Sequence, residues 1–185
     1  MIRAFLGLAL PQAVRGALQV QQFLLPLPRK VEPENLHLTL VFLGNCPEIA
    51  LEAAHEEFEA LRQGRFSLAL EGLGLFGKDK PRVAWAGVAA SADLMHLQAK
   101  VETIARRAGC PVDARKFLPH VTLGRFPPPP PVDAMRLERA VALGQGFRTE
   151  PWEVTELTLW RSHLTGNGPQ YEVLARYPLT PIASS

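Results

Sequence analysis

Two short segments of the chain place a histidine and a threonine two residues apart. His37-Leu38-Thr39-Leu40 lies in an apolar run, and His120-Val121-Thr122-Leu123 repeats the pattern far downstream. From the composition, about 0.03 occurrences of His-x-Thr-Leu are expected by chance. A single motif of this kind would more often be a polar residue at a strand edge. The repeat favours a chemical site built from both segments.

The residue types in the two motifs suit acid–base chemistry on a phosphate. Imidazole titrates near pH ~6.5, so one histidine can accept a proton while a second, kept charged by a bound anion, donates one. Two histidines that flank a phosphate can therefore run an in-line displacement. Thr39 and Thr122 would donate hydrogen bonds to the non-bridging oxygens, and Arg125 would add a charge-assisted donor.

This scheme requires no metal and no cofactor. An alternative interpretation is that the two histidines bind a metal ion, but in neither motif does a carboxylate or cysteine stand at a spacing typical of a further metal ligand. We therefore expect a site without metal, and the metal-binding alternative stays open.

A β-strand positions these side chains as the chemistry needs. Successive residues of a strand alternate between faces, so His37 and Thr39 project together while Leu38 and Leu40 project into the core. His120 and Thr122 project together in the same way. If two halves of the protein face each other, the four side chains line one cleft.

The remaining segments read as alternating strands and helices. A loose recurrence of strand, helix, histidine strand and helix predicts an α+β fold, with antiparallel sheets and two related lobes in a single domain over 1–185. A loop holding Gly72, Gly74, Gly77, Lys78, Asp79 and Lys80 is predicted between two of the strands. The predicted elements are a first strand up to Leu10, a helix at Pro11–Phe23, a strand at Leu36–Leu43, a helix at Pro47–Leu61, strands at Phe66–Leu70 and Arg82–Val88, a helix from Ser91 to about Ala108, the second histidine strand, a helix at Val132–Leu143, and strands at Val154–Leu164 and Tyr171–Leu179 joined by a hairpin loop.

Composition limits the class of protein. The chain has 185 residues, of which 47% are hydrophobic and 21% charged, and this balance is typical of a globular protein. No run approaches the roughly 20 apolar residues of a membrane span. The formal net charge of +2 excludes a polyanion binder that acts through bulk charge. Two cysteines give no disulfide framework, and a short N-terminal apolar stretch favours a buried strand over a signal peptide, so we expect a cytoplasmic protein.

Further matches surround the doubled motif. They include Arg3-Ala4-Phe5, Asn35-Leu36 before His37, Phe42-Leu43-Gly44, Val83-Ala84-Trp85, Phe117-Leu118-Pro119 before His120, Thr155-Glu156-Leu157-Thr158-Leu159, and Tyr171. With these residues the chain resembles the bacterial and archaeal RNA 2′,3′-cyclic phosphodiesterases, first described as 2′-5′ RNA ligases, of the two-histidine phosphoesterase superfamily. The resemblance covers nearly the whole chain.

The resemblance implies a bilobal α+β fold with a pseudo-two-fold axis and a cleft lined by both motifs. The implied reaction is metal-independent hydrolysis of an RNA 2′,3′-cyclic phosphate to a 2′-phosphomonoester. In the family, the histidine of the first motif, here His37, is the proton donor to the departing 3′ oxygen. The histidine of the second motif, here His120, is the proton acceptor that activates water. The sequence itself does not set this order.

The expected partner is RNA with a 2′,3′-cyclic phosphate end, with tRNA fragments as candidates, or a small cyclic nucleotide, and the protein is expected to be a monomer that does not bind membranes. Two other functions stay open. The same site can join a cyclic end to a 5′-hydroxyl as a 2′-5′ linkage, or the cleft can hold RNA ends without catalysis.

Several residues outside the motifs have a candidate functional role and an alternative structural one. Phe5 and His163 are candidate substrate contacts, whereas Trp85 is expected in the core. His55 and His96 lie in predicted helices and are expected at the surface. The basic residues Lys78, Lys80, Arg82, Arg115 and Lys116 either contact RNA phosphates or form a solvated edge.

Overall fold

Nine strands, four α-helices and one 3-10 turn make up the fold of residues 1–181, the part of the chain described by the computed structural model. In chain order they are β1 (Ile2–Ala9), α1 (Gln12–Leu24), the 3-10 turn (Pro33–Asn35), β2 (His37–Cys46), α2 (Glu48–Glu59), β3 (Phe66–Leu68), β4 (Leu70–Phe76), β5 (Val83–Val88), α3 (Ala92–Arg107), β6 (His120–Arg125), α4 (Pro131–Leu143), β7 (Trp152–Val154), β8 (Glu156–Thr165) and β9 (Gly168–Pro178).

Seven strands form one antiparallel sheet in the order β4-β5-β6-β2-β1-β8-β9, and β3 pairs with β7 in a small second sheet. The predicted α+β class with antiparallel sheets is confirmed. The two histidine strands are neighbours in the middle of the large sheet, where Leu38 lies opposite Val121. The two halves of the protein therefore join edge to edge, and both motifs lie on one continuous sheet.

The two halves are related by an approximate two-fold axis between Leu38 and Val121. In the first half β1 pairs with β2, with Leu8 opposite Leu38. In the second half β5 pairs with β6, with Ala86 opposite Val121. The connecting helices are exchanged across the axis, because α1 contacts β6 and α3 contacts β2. This exchange ties the halves together.

The core lies on the sheet face opposite the histidines. Leu38, Val121 and Leu123 are fully buried there, as the alternation of strand residues predicts. Gln22 of α1 strengthens the packing, because its side-chain amide donates to the carbonyl oxygens of Val31 and Leu123 over 2.8 and 2.9 Å. Burial of each large apolar side chain contributes about 1.5–3 kcal/mol. The core and α1 thus hold the histidine strands in place from the opposite face of the sheet.

The predicted loop after Leu70 is wrong in its first part. Residues 70–76 form the edge strand β4, paired with β5, and the loop begins at Gly77. Glycines at 72 and 74 suggested a loop, but Gly74 lies under the ring of Trp85, where any Cβ would clash. Here glycine permits close packing of a side chain on a strand.

Two further expectations concern membranes and disulfides. Among the helices of residues 1–181, none is long and apolar enough to cross a membrane. Cys46 and Cys110 are free thiols, buried with 3.1 Å between their sulfur atoms. Their contact could not be predicted from sequence, since 64 positions separate them.

Candidate active site

The pairing of β2 with β6 brings the two motifs together. Because Leu38 lies opposite Val121 in an antiparallel pair, His37 stands across from Thr122 and Thr39 stands across from His120. Side chains opposite each other on neighbouring strands have Cβ atoms about 4.5–5.5 Å apart. All four side chains therefore lie on one face of the sheet, as a compact group around the pseudo-two-fold axis.

Backbone carbonyl groups orient both imidazole rings in the same way. Nδ1 of His37 is 2.6 Å from the Asn35 oxygen, and Nδ1 of His120 is 2.6 Å from the Leu118 oxygen. A carbonyl oxygen only accepts, so each Nδ1 carries a hydrogen and donates it. In the neutral rings Nε2 is therefore the proton acceptor. Nε2 of His37 lies 2.8 Å from Oγ1 of Thr39, whose hydroxyl can donate to it.

A β-bulge in β6 turns Arg125 towards the histidines. Trp85 lies opposite Thr122 and Ala84 lies opposite Gly124, so Leu123 is an extra residue in β6. One extra residue reverses the alternation of faces beyond it. Arg125, which plain alternation from Thr122 places on the core side, thus shares the face of His120.

The first half contains the same bulge with a different side chain. Gly7 lies opposite Thr39 and Leu6 lies opposite Val41, so Leu40 is the extra residue. Phe42 then occupies the place that Arg125 holds in the second half. The two halves therefore differ in charge at this position, and the guanidinium comes from one side only.

Burial and positive charge lower the pKa of both histidines and so favour their neutral forms in the free protein. Burial lowers the pKa of His37 from 6.5 to about 4; the Asn35 carbonyl opposes this effect, and the charge of Arg125 and that of His120 when it is protonated add to it. The pKa of His120 is lowered, chiefly by burial and then, against the opposing Leu118 carbonyl, by Arg125. A bound phosphate anion would reverse part of this shift, because negative charge favours the imidazolium.

Aromatic rings surround each histidine. The rings of Phe5, Tyr171 and Trp160 lie 4.8, 5.2 and 5.6 Å from the His37 ring. Phe76 and Trp85 lie 5.1 and 6.3 Å from the His120 ring. These rings exclude water from much of the imidazole surface, which explains the lowered pKa values.

The prediction that Trp85 lies in the core is wrong. Trp85 is partly exposed on the site face, because its position opposite Thr122 points it towards His120. Phe5, a candidate substrate contact, is only 4% exposed, and its ring faces His37 and stacks on Trp160. Any contact of Phe5 with substrate would use the edge of the ring that remains accessible.

The other histidines lie away from the four motif side chains. His163 is three residues beyond Trp160 on β8, hence on the opposite face by alternation, and its Nε2 is 2.7 Å from Glu172. Its contact with substrate stays a prediction. His96 is exposed as expected, whereas His55 is half-buried and hydrogen-bonds the hydroxyl of Tyr177 over 2.8 Å.

The predicted basic residues flank the second half of the site. All are exposed, in the loop between β4 and β5 or just before β6; they are Lys78, Lys80, Arg82, Arg115 and Lys116. Over residues 1–181, no group of three or more His, Cys, Asp or Glu side chains is placed to hold a metal ion.

Sequence reasoning missed some residues near His37. Tyr171 was part of the resemblance without a predicted role, yet its ring meets His37 edge to face. Arg15 and Glu34 line a cavity of about 150 Å³ beside His37. No motif signals them, since they come from α1 and from the 3-10 turn and meet only in the folded chain.

Comparison with known proteins agrees with this geometry. A family model described as the 2′-5′ RNA ligase superfamily matches residues 10–166. The RNA 2′,3′-cyclic phosphodiesterase of Aeropyrum pernix is 36% identical over 152 residues, which cover 79% of this chain and 83% of the relative. The protein of the same name from Escherichia coli K12 is 31% identical over 182 residues, covering 96% and 97% of the two chains.

A solved structure supports the same assignment. The crystal structure of E. coli LigT complexed with 3′-AMP superimposes with a TM-score of 0.77 at 29% identity, covering 97% of this chain and 98% of that chain. Sequence and fold thus agree over nearly the whole length, and the resemblance is confirmed. The chain belongs to the 2′-5′ RNA ligase superfamily.

Proposed function

We propose that this protein hydrolyses RNA 2′,3′-cyclic phosphate ends to 2′-phosphomonoesters by two-histidine acid–base catalysis. The observation that carries the proposal is the arrangement on β2 and β6, where two imidazoles and two hydroxyls share one sheet face and each Nδ1 donates to a backbone carbonyl, which leaves Nε2 as the proton acceptor. Relatives named RNA 2′,3′-cyclic phosphodiesterase, at 31–36% identity, support the same reaction.

The cyclic phosphate lies between the two Nε2 atoms. Nε2 of His120 takes a proton from water as the water oxygen attacks phosphorus. The bond from phosphorus to the 3′ oxygen breaks on the opposite side, and Nε2 of His37 gives its proton to that oxygen. Deprotonation of His120 and protonation of His37 restore the starting state. Because the pKa of free His37 is about 4, the bound anion must first raise it for His37 to act as the acid.

Three side chains stabilise the charge that develops on the phosphate. The hydroxyl of Thr122 donates to a non-bridging oxygen, and that of Thr39 does so once His37 is protonated and no longer needs it as a donor. Arg125, turned to the site by the bulge in β6, adds a charge-assisted hydrogen bond. Donors aimed at such charge commonly contribute about 10²–10³ in rate.

The decisive experiment follows the fate of a cyclic-ended RNA oligonucleotide and identifies the product as a 2′ or 3′ phosphate. We expect the 2′ product, and loss of turnover in His37→Ala and in His120→Ala. His96→Ala, on the exposed face of α3, is the matched control and should behave as the wild type. RNA binding without turnover at any pH would instead support a binding module.

The requirement for metal has its own test. We expect full activity after treatment with EDTA, because the proposed steps use protein groups alone. Loss of activity with EDTA that a divalent ion restores would refute the metal-free mechanism.

Ligation is a second candidate, favoured by the description of the matching family model. If a 5′-hydroxyl replaces water as nucleophile, the same steps give a 2′-5′ linkage. Supplying excess 5′-hydroxyl RNA and measuring joined against hydrolysed product separates the two. We expect hydrolysis to dominate, because water is far more concentrated than any RNA end.

We propose tRNA fragments among the RNA substrates, a cytoplasmic location and a monomeric protein. Light scattering on the purified protein measures the oligomeric state, and sequencing of cyclic-ended RNAs that accumulate without the protein identifies its substrates.

A further inference from the structure

A cavity of about 150 Å³ opens beside His37, and its walls other than His37 have no part in the proposed proton transfers. Its walls include Leu10, Arg15, Glu34, His37, Trp160 and Tyr171. Three separate parts of the fold thus meet here, namely α1, the 3-10 turn and the β8–β9 hairpin. We call it the Arg15 cavity.

Arg15 is a partly buried cation that forms no ion pair within residues 1–181. Its Nε is buried and has no hydrogen-bond partner within the described residues. An N–H group that is removed from water without gaining a hydrogen-bond partner is costly to a protein. An anion in the cavity would relieve this cost.

We infer that Arg15 binds the phosphodiester that joins the terminal nucleotide of the RNA to the preceding nucleotide. The inference rests on the proposed function. His37 protonates the 3′ oxygen of the terminal ribose, so the terminal nucleoside lies on the His37 side of phosphorus. The next anion along the RNA is the phosphodiester on the 5′ side of that nucleoside. The Arg15 cavity lies on this side, and a guanidinium suits a phosphate because it can donate two parallel hydrogen bonds.

The consequence concerns the class of substrate. A nucleoside 2′,3′-cyclic phosphate has no second phosphate and leaves Arg15 unpaired. An RNA of two or more nucleotides with a cyclic end supplies the missing anion. Arg15 therefore selects RNA ends over small cyclic nucleotides.

Glu34 carries the opposite charge in the same cavity. Glu34 is exposed, so water screens the repulsion between its carboxylate and a phosphate. The attraction between Arg15 and the phosphate is screened less, because Nε of Arg15 is buried. Removing the Glu34 charge should strengthen binding of the phosphodiester, opposite in sign to removing Arg15.

The test compares three substrates: a cyclic-ended dinucleotide, the same dinucleotide with a neutral methylphosphonate at its internal linkage, and a nucleoside 2′,3′-cyclic phosphate. Arg15→Met should raise KM for the first by about 10- to 100-fold, the range of one charge-assisted hydrogen bond, and leave the other two within about twofold. Glu34→Gln should lower KM for the first substrate only. Arg136→Met, which removes an exposed arginine of α4, is the control for net charge and should match the wild type.

Each outcome decides the inference. If Arg15→Met raises KM for all three substrates alike, or for none, Arg15 does not bind the second phosphate. If that variant does not fold, the wild type alone decides, since equal KM values for the phosphodiester and methylphosphonate dinucleotides contradict the inference. Failure of the wild type to hydrolyse any cyclic phosphate would refute the proposed function itself, which separates the two claims.

Discussion

The buried imidazole of His37 makes the stability of this protein depend on pH, and the size of the effect follows from its pKa. The pKa is 6.5 in an unfolded chain and about 4 in the folded protein. Between these values the unfolded chain binds a proton at His37 and the folded protein does not. The free energy of unfolding therefore falls as pH falls through this window, by about 3 kcal/mol between pH 8 and pH 4.

The perturbation that isolates this effect is His37→Gln, which removes the titration but keeps a polar side chain of similar size. Other groups titrate over the same range, but they do so in both proteins. The difference between wild type and variant should therefore change by about 3 kcal/mol between pH 8 and pH 4, with the wild type losing more. Urea unfolding followed by tryptophan fluorescence measures it at each pH.

His96→Gln is the control, because this exposed histidine of α3 should give the same pH dependence as the wild type. Parallel curves for wild type and His37→Gln would refute the reasoning. That result would mean that water reaches the His37 ring despite Phe5, Trp160 and Tyr171, and that His37 titrates near its ordinary pKa.

Two further predictions test the groups around the site. Arg125→Gln removes a charge that lowers the pKa of both histidines, so the pH–rate profile of kcat/KM should move upward in pH while its maximum falls by about 10²-fold or more; a profile at the wild-type pH would contradict the placement of Arg125. Gly7→Ala puts a Cβ against the Leu38 carbonyl, between the two residues of the first motif, and should destabilise by about 1–3 kcal/mol. Gly16→Ala, in open space on α1, should be neutral or stabilising, and equal loss in both variants would refute the clash.

The doubled motif was predictable because strand periodicity is a local property. Leu38, Leu40, Val121 and Leu123 alternate with the polar residues and are buried as expected. The same alternation put His37 with Thr39 and His120 with Thr122, and the residue types alone indicated proton transfer at a phosphate. The prediction of a loop in place of β4 was wrong, because a glycine that permits close packing of Trp85 cannot be distinguished in the sequence from a glycine in a loop.

Only the tertiary structure decided how the motifs meet and what surrounds them. The pairing of Leu38 with Val121 is a contact between distant segments, and no local pattern specifies it. The extra residue Leu123 turns Arg125 to the site, against the alternation that sequence alone would give. The pKa of His37 and the Arg15 cavity depend on burial by rings and helices far along the chain. Local residue order thus determined which chemistry is available, whereas long-range packing determined the geometry, the charge state and the neighbours of the groups that perform it.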